Sequence, residues 1–217
     1  MKDNCPNTFD YDYEIKKDLL EKALKLPPNY GIIDSGAHIG DGSIPIAHAL
    51  KYYNREDIVV YAIDPSKYKC DYIKEITEIN NIKNIKIIHS GLSEEDNINY
   101  SYIPVKPMDN GETNSGGTKW KKKEEFENKN SETINFIKLD TLVQNKTINH
   151  PIGIIHLDVE GMEENAIKGG KETINKYKPY ISLECHENNP SKFTKLLQNY
   201  EFNGRINSNN TFSPINH

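Results

Sequence analysis

Five short β-branched runs constrain this chain more than anything else in it: GIIDSG (31–36), IVVYAID (58–64), IKIIHSG (85–91), IGIIHLD (152–158) and YISLECHE (180–187). Each is nearly continuous in apolar residues rather than alternating, the pattern of strands buried on both faces of a parallel sheet. Stretches with helical spacing separate them at 43–54, 66–81 and 161–177, and another, SKFTKLLQNY (191–200), follows the fifth run. Alternating β and α units predict an open, mostly parallel α/β sheet of Rossmann-like form, with helices on both faces and right-handed crossovers. Ahead of the first run, Ile15, Leu19, Leu20, Ala23 and Leu24 fall at helical spacing until Pro27-Pro28 stops them, so residues 1–28 read as an N-terminal helical cap. The tail EFNGRINSNNTFSPINH (201–217) places turn residues between two short candidate strands and predicts an antiparallel hairpin at the sheet edge.

The 217 residues suit one domain able to bury its own core. Residues 93–135 break the rhythm: they are polar, Gly-rich and without a clear period, and they read as an insertion forming a substrate lid. Within it, NSGGTKW sets two glycines beside Trp120, the chain's single tryptophan, a candidate surface for stacking on a sugar. A net charge of −5 argues against nucleic acid or an anionic membrane as partner. No apolar run approaches the roughly 18 residues that span a bilayer, and the N-terminus lacks a signal-like apolar stretch, so an intracellular, cytoplasmic protein is expected. Cys5, Cys70 and Cys185 are too few and too scattered for a disulfide framework or a zinc knuckle.

In an open α/β sheet, ligands sit beyond the carboxyl ends of the strands. At the first strand's end, DSGAHIG places Asp34, Ser35, Gly36, Ala37, His38 and Gly40 in a tight turn. A dinucleotide fingerprint needs glycine where His38 stands, and a P-loop needs a Lys after its last glycine, so neither phosphate cradle fits. An acidic turn instead attracts a cationic head such as the sulfonium and ammonium groups of S-adenosylmethionine (SAM). The second strand ends in Asp64, Pro65 and Ser66, with Asp64 24 residues beyond Gly40. A carboxylate there can accept hydrogen bonds from both ribose hydroxyls. Gly91 and Leu92, past the third strand, leave room for adenine against the backbone.

These segments, with LDTL, DVEGMEENAIKGG and PYISLECHE, resemble in order and spacing the FkbM-type class I SAM-dependent methyltransferases over roughly residues 30–187. Ser35 and His38 stand where that family usually has Val and Asn. The resemblance implies a seven-stranded sheet with an antiparallel last strand, and methyl transfer to a hydroxyl, commonly on a sugar, glycan or other polyhydroxylated acceptor.

A sugar hydroxyl holds its proton at neutral pH, so transfer to it needs a general base or a metal that acidifies it. The fourth strand ends HLDVEG and the fifth LECHE, bringing Asp158, Glu160, Glu184 and His186 to the carboxyl edge. Asp158 and Glu184 are read as orienting the acceptor or holding a divalent cation, with Glu160 or His186 as base; oxygen ligands favour magnesium, manganese or calcium. Asp158 also borders the cofactor cleft, and His156 reads as structural. Two other readings stand beside this one: a methyltransferase for a protein or nucleic-acid target, and a SAM-binding module without catalysis. The first has no N/D-P-P-Y/F motif for amino-nitrogen chemistry.

Overall fold

Four of the five β-branched runs form strands buried along almost their whole length, as their continuous apolar pattern predicts; the third, Ile85–His89, lies at the sheet edge and is only partly buried, with Lys86 and His89 exposed. The computed structural model describes residues 12–103, 119–122, 133–185 and 190–215. In chain order the elements are α1 (Tyr13–Ala23), β1 (Gly31–Ser35), α2 (Ser43–Tyr52), β2 (Val59–Asp64), α3 (Lys67–Ile79), β3 (Ile85–His89), β4 (Gly91–Leu92), β5 (Ile98–Ile103), β6 (Lys119–Lys122) and β7 (Thr133–Ile137). There follow α4 (Leu139–Gln144), β8 (Ile152–Leu157), α5 (Glu163–Gly169), α6 (Lys171–Tyr177), β9 (Tyr180–Glu184), α7 (Ser191–Leu196), β10 (Tyr200–Ile206) and β11 (Asn209–Pro214).

The main sheet has seven strands in the order β10-β11-β9-β8-β1-β2-β3. Strands β3, β2, β1, β8 and β9 run parallel. The terminal hairpin enters the sheet with β11 antiparallel to both β9 and β10, so β11 lies inside and β10 takes the edge. Strand order reverses at β1, whose neighbours are β2 and β8, and that is where such sheets open a ligand crevice.

Successive side chains on each strand separate two cores. Ile32, Val60 and Ile154 pack with Ile15, Leu19 and Ala23 of α1 and with Ile46 and Leu50 of α2. Ile33, Ile63, Ile155 and Leu157 turn the other way, into a cluster with Ile167, Ile174, Phe193 and Phe212. Helix α1 is also tied by polar contacts: Arg55 donates to the Leu24 and Leu26 carbonyls at 2.6 and 2.8 Å, and the Tyr180 hydroxyl donates to Asp18 at 2.7 Å. The two Arg55 bonds satisfy carbonyls that the end of a helix leaves open.

Four boundaries differ from the sequence reading. The third run ends as a main-sheet strand at His89, and Gly91–Leu92 pairs instead with β7. The stretch 161–177 is two helices, α5 and α6, meeting at Gly170, and the last helix stops at Leu196. A side chain at Gly169 would stand 1.9 Å from the Ser93 carbonyl oxygen, so the glycine pair is where the helices pass close to another backbone. The described part of 93–135 holds β5, β6 and the start of β7 where no period was readable, and with β4 these form a second sheet in the order β4-β7-β5-β6. Its apolar cluster, Tyr100, Ile134 and Phe136, comes from two strands more than thirty residues apart, so neither run is long enough to announce itself. NSGGT, at 114–118, lies outside the described residues, as does the Trp120 side chain, and with them the expected stacking surface; of the expected lid, 93–135, residues 104–118 and 123–132 also lie outside. Among the described residues, no helix is long and apolar enough to cross a membrane.

Candidate functional site

The glycine turn sits on the switch point. Gly36 has φ +81°, and a Cβ there would lie 1.7 Å from the Asp158 carbonyl oxygen. Only glycine suits both demands, the left-handed backbone and the close approach. One residue earlier, the Ser35 carbonyl accepts the Asp158 N–H at 2.9 Å, so the turn and the end of β8 are clamped together. His38, also left-handed at φ +51°, donates its backbone N–H to Asp64 at 2.9 Å, while Ser66 N–H binds the other Asp64 oxygen at 2.8 Å. Asp64 is 3% exposed, and burial raises its pKa. It therefore braces the turn as well as standing at the β2 tip. Ser66 caps α3, and the Pro65 carbonyl accepts from His89 Nε2 at 2.9 Å.

Asp34, buried at 5% exposure, accepts the Ser43 hydroxyl and so ties β1 to the first residue of α2. Burial raises its pKa against the opposing influence of His156 and Ser43. Ala37 is buried beside this turn, and Gly40, at φ +82°, closes it. Gly91 and Leu92 are buried in β4, with the Phe136 ring against the Gly91 α-carbon. The small residue at 91 is therefore required by packing.

Across the turn, Asp158, Glu160 and Glu184 converge, with one oxygen of each within 4.8 Å of the others. They come from the ends of adjacent parallel strands β8 and β9, aligned by the pairing of Leu157 with Leu183. Burial raises the Asp158 pKa first, then its hydrogen bond to Glu184 and the charges of Glu184, Glu160 and Asp34, and together they push it up to about 9. Asp158 is thus protonated at neutral pH. His186, expected alongside, lies outside the described residues.

Sequence reasoning missed three parts of this site. Glu163, 8% exposed, accepts the Val159 and Gly161 N–H groups at 3.3 and 3.1 Å through one oxygen. It shapes the loop that carries Asp158 and Glu160, where Glu160 and Gly161 both have positive φ. An acidic residue in the first turn of a helix is a readable signal for that role. Met162, from the same loop, packs on the Tyr100, Ile134 and Phe136 cluster, coupling the second sheet to the carboxylates. Helix α1 contributes Asp12 and Lys16 to a cavity of about 40 Å³ beside Asp34 and Asp158, room for a few waters. His156 faces this cavity rather than apolar packing, and its Nδ1 has no hydrogen-bond partner among the described residues.

The Asp158 proton sets a pH dependence of stability. The folded form keeps it from the ordinary carboxylate range up to about pH 9, whereas the unfolded chain releases it near its normal value. Over that window the folded state binds more protons, so this contribution is present at low pH and lost as pH rises. Thermal melts should show Tm falling as pH is raised from about 5 to 9. Asp158→Asn, which has no proton to lose, should flatten the curve; an equally steep curve in that variant would place the effect elsewhere.

The methyltransferase FkbM domain family matches residues 34–206, most of the chain. Among solved structures, the chain is similar to the methyltransferase FkbM from Methylobacillus flagellatus KT, with 16% identity and a TM-score of 0.55 over 88% of this chain and 45% of that one. It is also similar to an rRNA methylase from Streptococcus thermophilus, with 9% identity and a TM-score of 0.51 over 94% and 97% of the two chains. At such identities the likeness is one of fold, and this chain spans less than half the length of the Methylobacillus protein. No curated protein matches it. The family match extends from the Asp34 turn through the carboxylate loop to the terminal hairpin: the chain belongs to the FkbM family of SAM-dependent methyltransferases.

Proposed function

We propose that this chain transfers a methyl group from SAM to a hydroxyl of a sugar, a glycan or a similar polyhydroxylated acceptor. The observation that carries the reading is the convergence of Asp158, Glu160 and Glu184 beside the glycine turn. Carboxyl groups in such a cluster are natural partners for neighbouring hydroxyls, since each offers several acceptor positions.

The residues fit SAM on charge grounds. Burial first, and then the neighbouring Glu184, Glu160 and Asp34 carboxyls, push Asp158 up to about 9, and an adjacent sulfonium would relieve the negative charge of those neighbours. Asp64 would hold the ribose, Ser35 to Gly40 the methionine part, and Pro65, Ser66, Gly91 and Leu92 the adenine side. When bound, SAM supplies a methyl group on positively charged sulfur, open to in-line attack by an acceptor oxygen.

In this reading Asp158 and Glu184 hold the acceptor hydroxyls in place, and positioning of that kind supplies much of a transfer rate. Glu160 takes the proton from the reacting oxygen. Glu163 keeps Glu160 in reach by bonding both flanking stretches of loop backbone. The same three oxygens also suit a hard divalent cation such as magnesium, manganese or calcium, which would bind after Asp158 sheds its proton. Turnover unchanged by EDTA would remove that second reading.

The test is incubation with methyl-labelled SAM and a panel of free sugars and glycans, followed by mass spectrometry. O-methyl sugar is the expected product. Label found only on protein or RNA, or on nothing while SAM still binds, would sink the acceptor assignment.

A further inference from the structure

A second cleft lies on the face of the sheet opposite the α1 cavity. It opens between α6 and the stretch from the end of α7 to the start of β10, with a volume of about 350 Å³. That falls within the roughly 300–1,000 Å³ typical of small-molecule sites. Ile167, Ile174 and Leu197 form its apolar wall and belong to the core cluster on this face.

Its charge is one-sided. Lys168, Lys171 and Lys195 line it and, among the described residues, no carboxylate does, in a chain where acidic residues outnumber basic ones by 32 to 27. Lys168 already pairs with Glu164 and Glu94, which lie outside the lining, so Lys171 and Lys195 define the positive side.

An independent observation is Tyr200, which borders the cleft and is 5% exposed. Its hydroxyl is buried without a hydrogen-bond partner among the described residues. A buried O–H left unmatched is a standing free-energy cost; with less than 1 Å² of the hydroxyl exposed, it meets an acceptor in the cleft only when the side chain shifts on binding, and relief of that cost favours the shift. Burial also raises the phenol's pKa, so it stays a donor at physiological pH.

We propose that this cleft is a binding site for a small organic anion, whose phosphate or carboxylate sits between Lys171 and Lys195 and which accepts a hydrogen bond from Tyr200. The apolar wall selects for an anion with an aryl or alkyl body over a bare inorganic ion. This site is separate from the methyl-transfer centre and does not depend on the acceptor assigned there.

Calorimetric titration of the full chain with phenyl phosphate and, separately, benzoate tests it and tells the two anion types apart. At least one should bind with a dissociation constant below about 10 mM, and should bind equally well with SAM present. Lys171→Gln with Lys195→Gln should weaken it about tenfold or more, and Tyr200→Phe about three- to tenfold. Tyr200→Phe should leave the Tm of the ligand-free chain unchanged or raised, because the hydroxyl it removes has nothing to bond. The proposal is overturned if neither probe binds, if SAM displaces the probe, or if the lysine variant binds it undiminished. It is equally overturned if Tyr200→Phe lowers the ligand-free Tm, since that would show the hydroxyl already has a partner.

Discussion

Asp158→Asn is expected to leave a folded protein that still binds SAM and to lower methyl transfer by roughly 10²-fold, the order of loss when an acceptor is no longer held in line. The substitution is conservative in the ground state, because Asp158 is protonated at neutral pH and an amide keeps a similar shape and a donor for Glu184. It cannot, however, exchange a proton with Glu184 or Glu160, and it cannot become an anion when positive charge arrives. Glu184→Gln should act in the same direction. Turnover of labelled SAM, read beside a SAM thermal-shift titration, separates the two effects: lost transfer with retained binding supports the catalytic assignment. Wild-type turnover in Asp158→Asn would return the residue to a purely structural role.

Gly36→Ala should be the most damaging single substitution for the fold. Its added methyl would lie 1.7 Å from the Asp158 carbonyl oxygen, backbone that is itself bonded to Ser35 and cannot move without parting β1 from β8. A left-handed φ on a non-glycine residue costs about 1–3 kcal/mol alone, and the clash adds to it. For a chain of this size each kcal/mol shifts Tm by roughly 2–4 °C, so a drop of about 10 °C or more, or no soluble protein, is expected. Gly161→Ala is the control. Gly161 also has positive φ, at +94°, but a Cβ there meets nothing within 4 Å, so only the backbone strain remains. Equal Tm losses in the two variants would mean that the contact with Asp158 is not what requires glycine at 36.

The sequence by itself determined the architecture and the place of the turn. Strands buried on both faces must be nearly continuous in apolar residues, so β1, β2, β8 and β9 could be read directly, and the motif order set Asp34, Asp64, Asp158 and Glu184 at their carboxyl ends; β3 was read by the same run although it lies half-exposed at the edge. Side-chain alternation also put Asp158 and Glu184 on one face, because parallel pairing keeps neighbouring strands in phase.

Contacts between segments distant in the chain were decided only by tertiary structure. The second sheet joins strands separated by a long polar stretch, and its Phe136 fills the space at Gly91. Helix α1 folds back to bring Lys16 and Asp12 beside His156, some 140 residues on in the chain. Asp64 serves as a brace because two backbone N–H groups point at it. Tyr200 borders a cleft between helices rather than filling the core completely. Periodicity reports which face of an element is buried; what that face meets, and how closely, depends on packing between elements that no local pattern records.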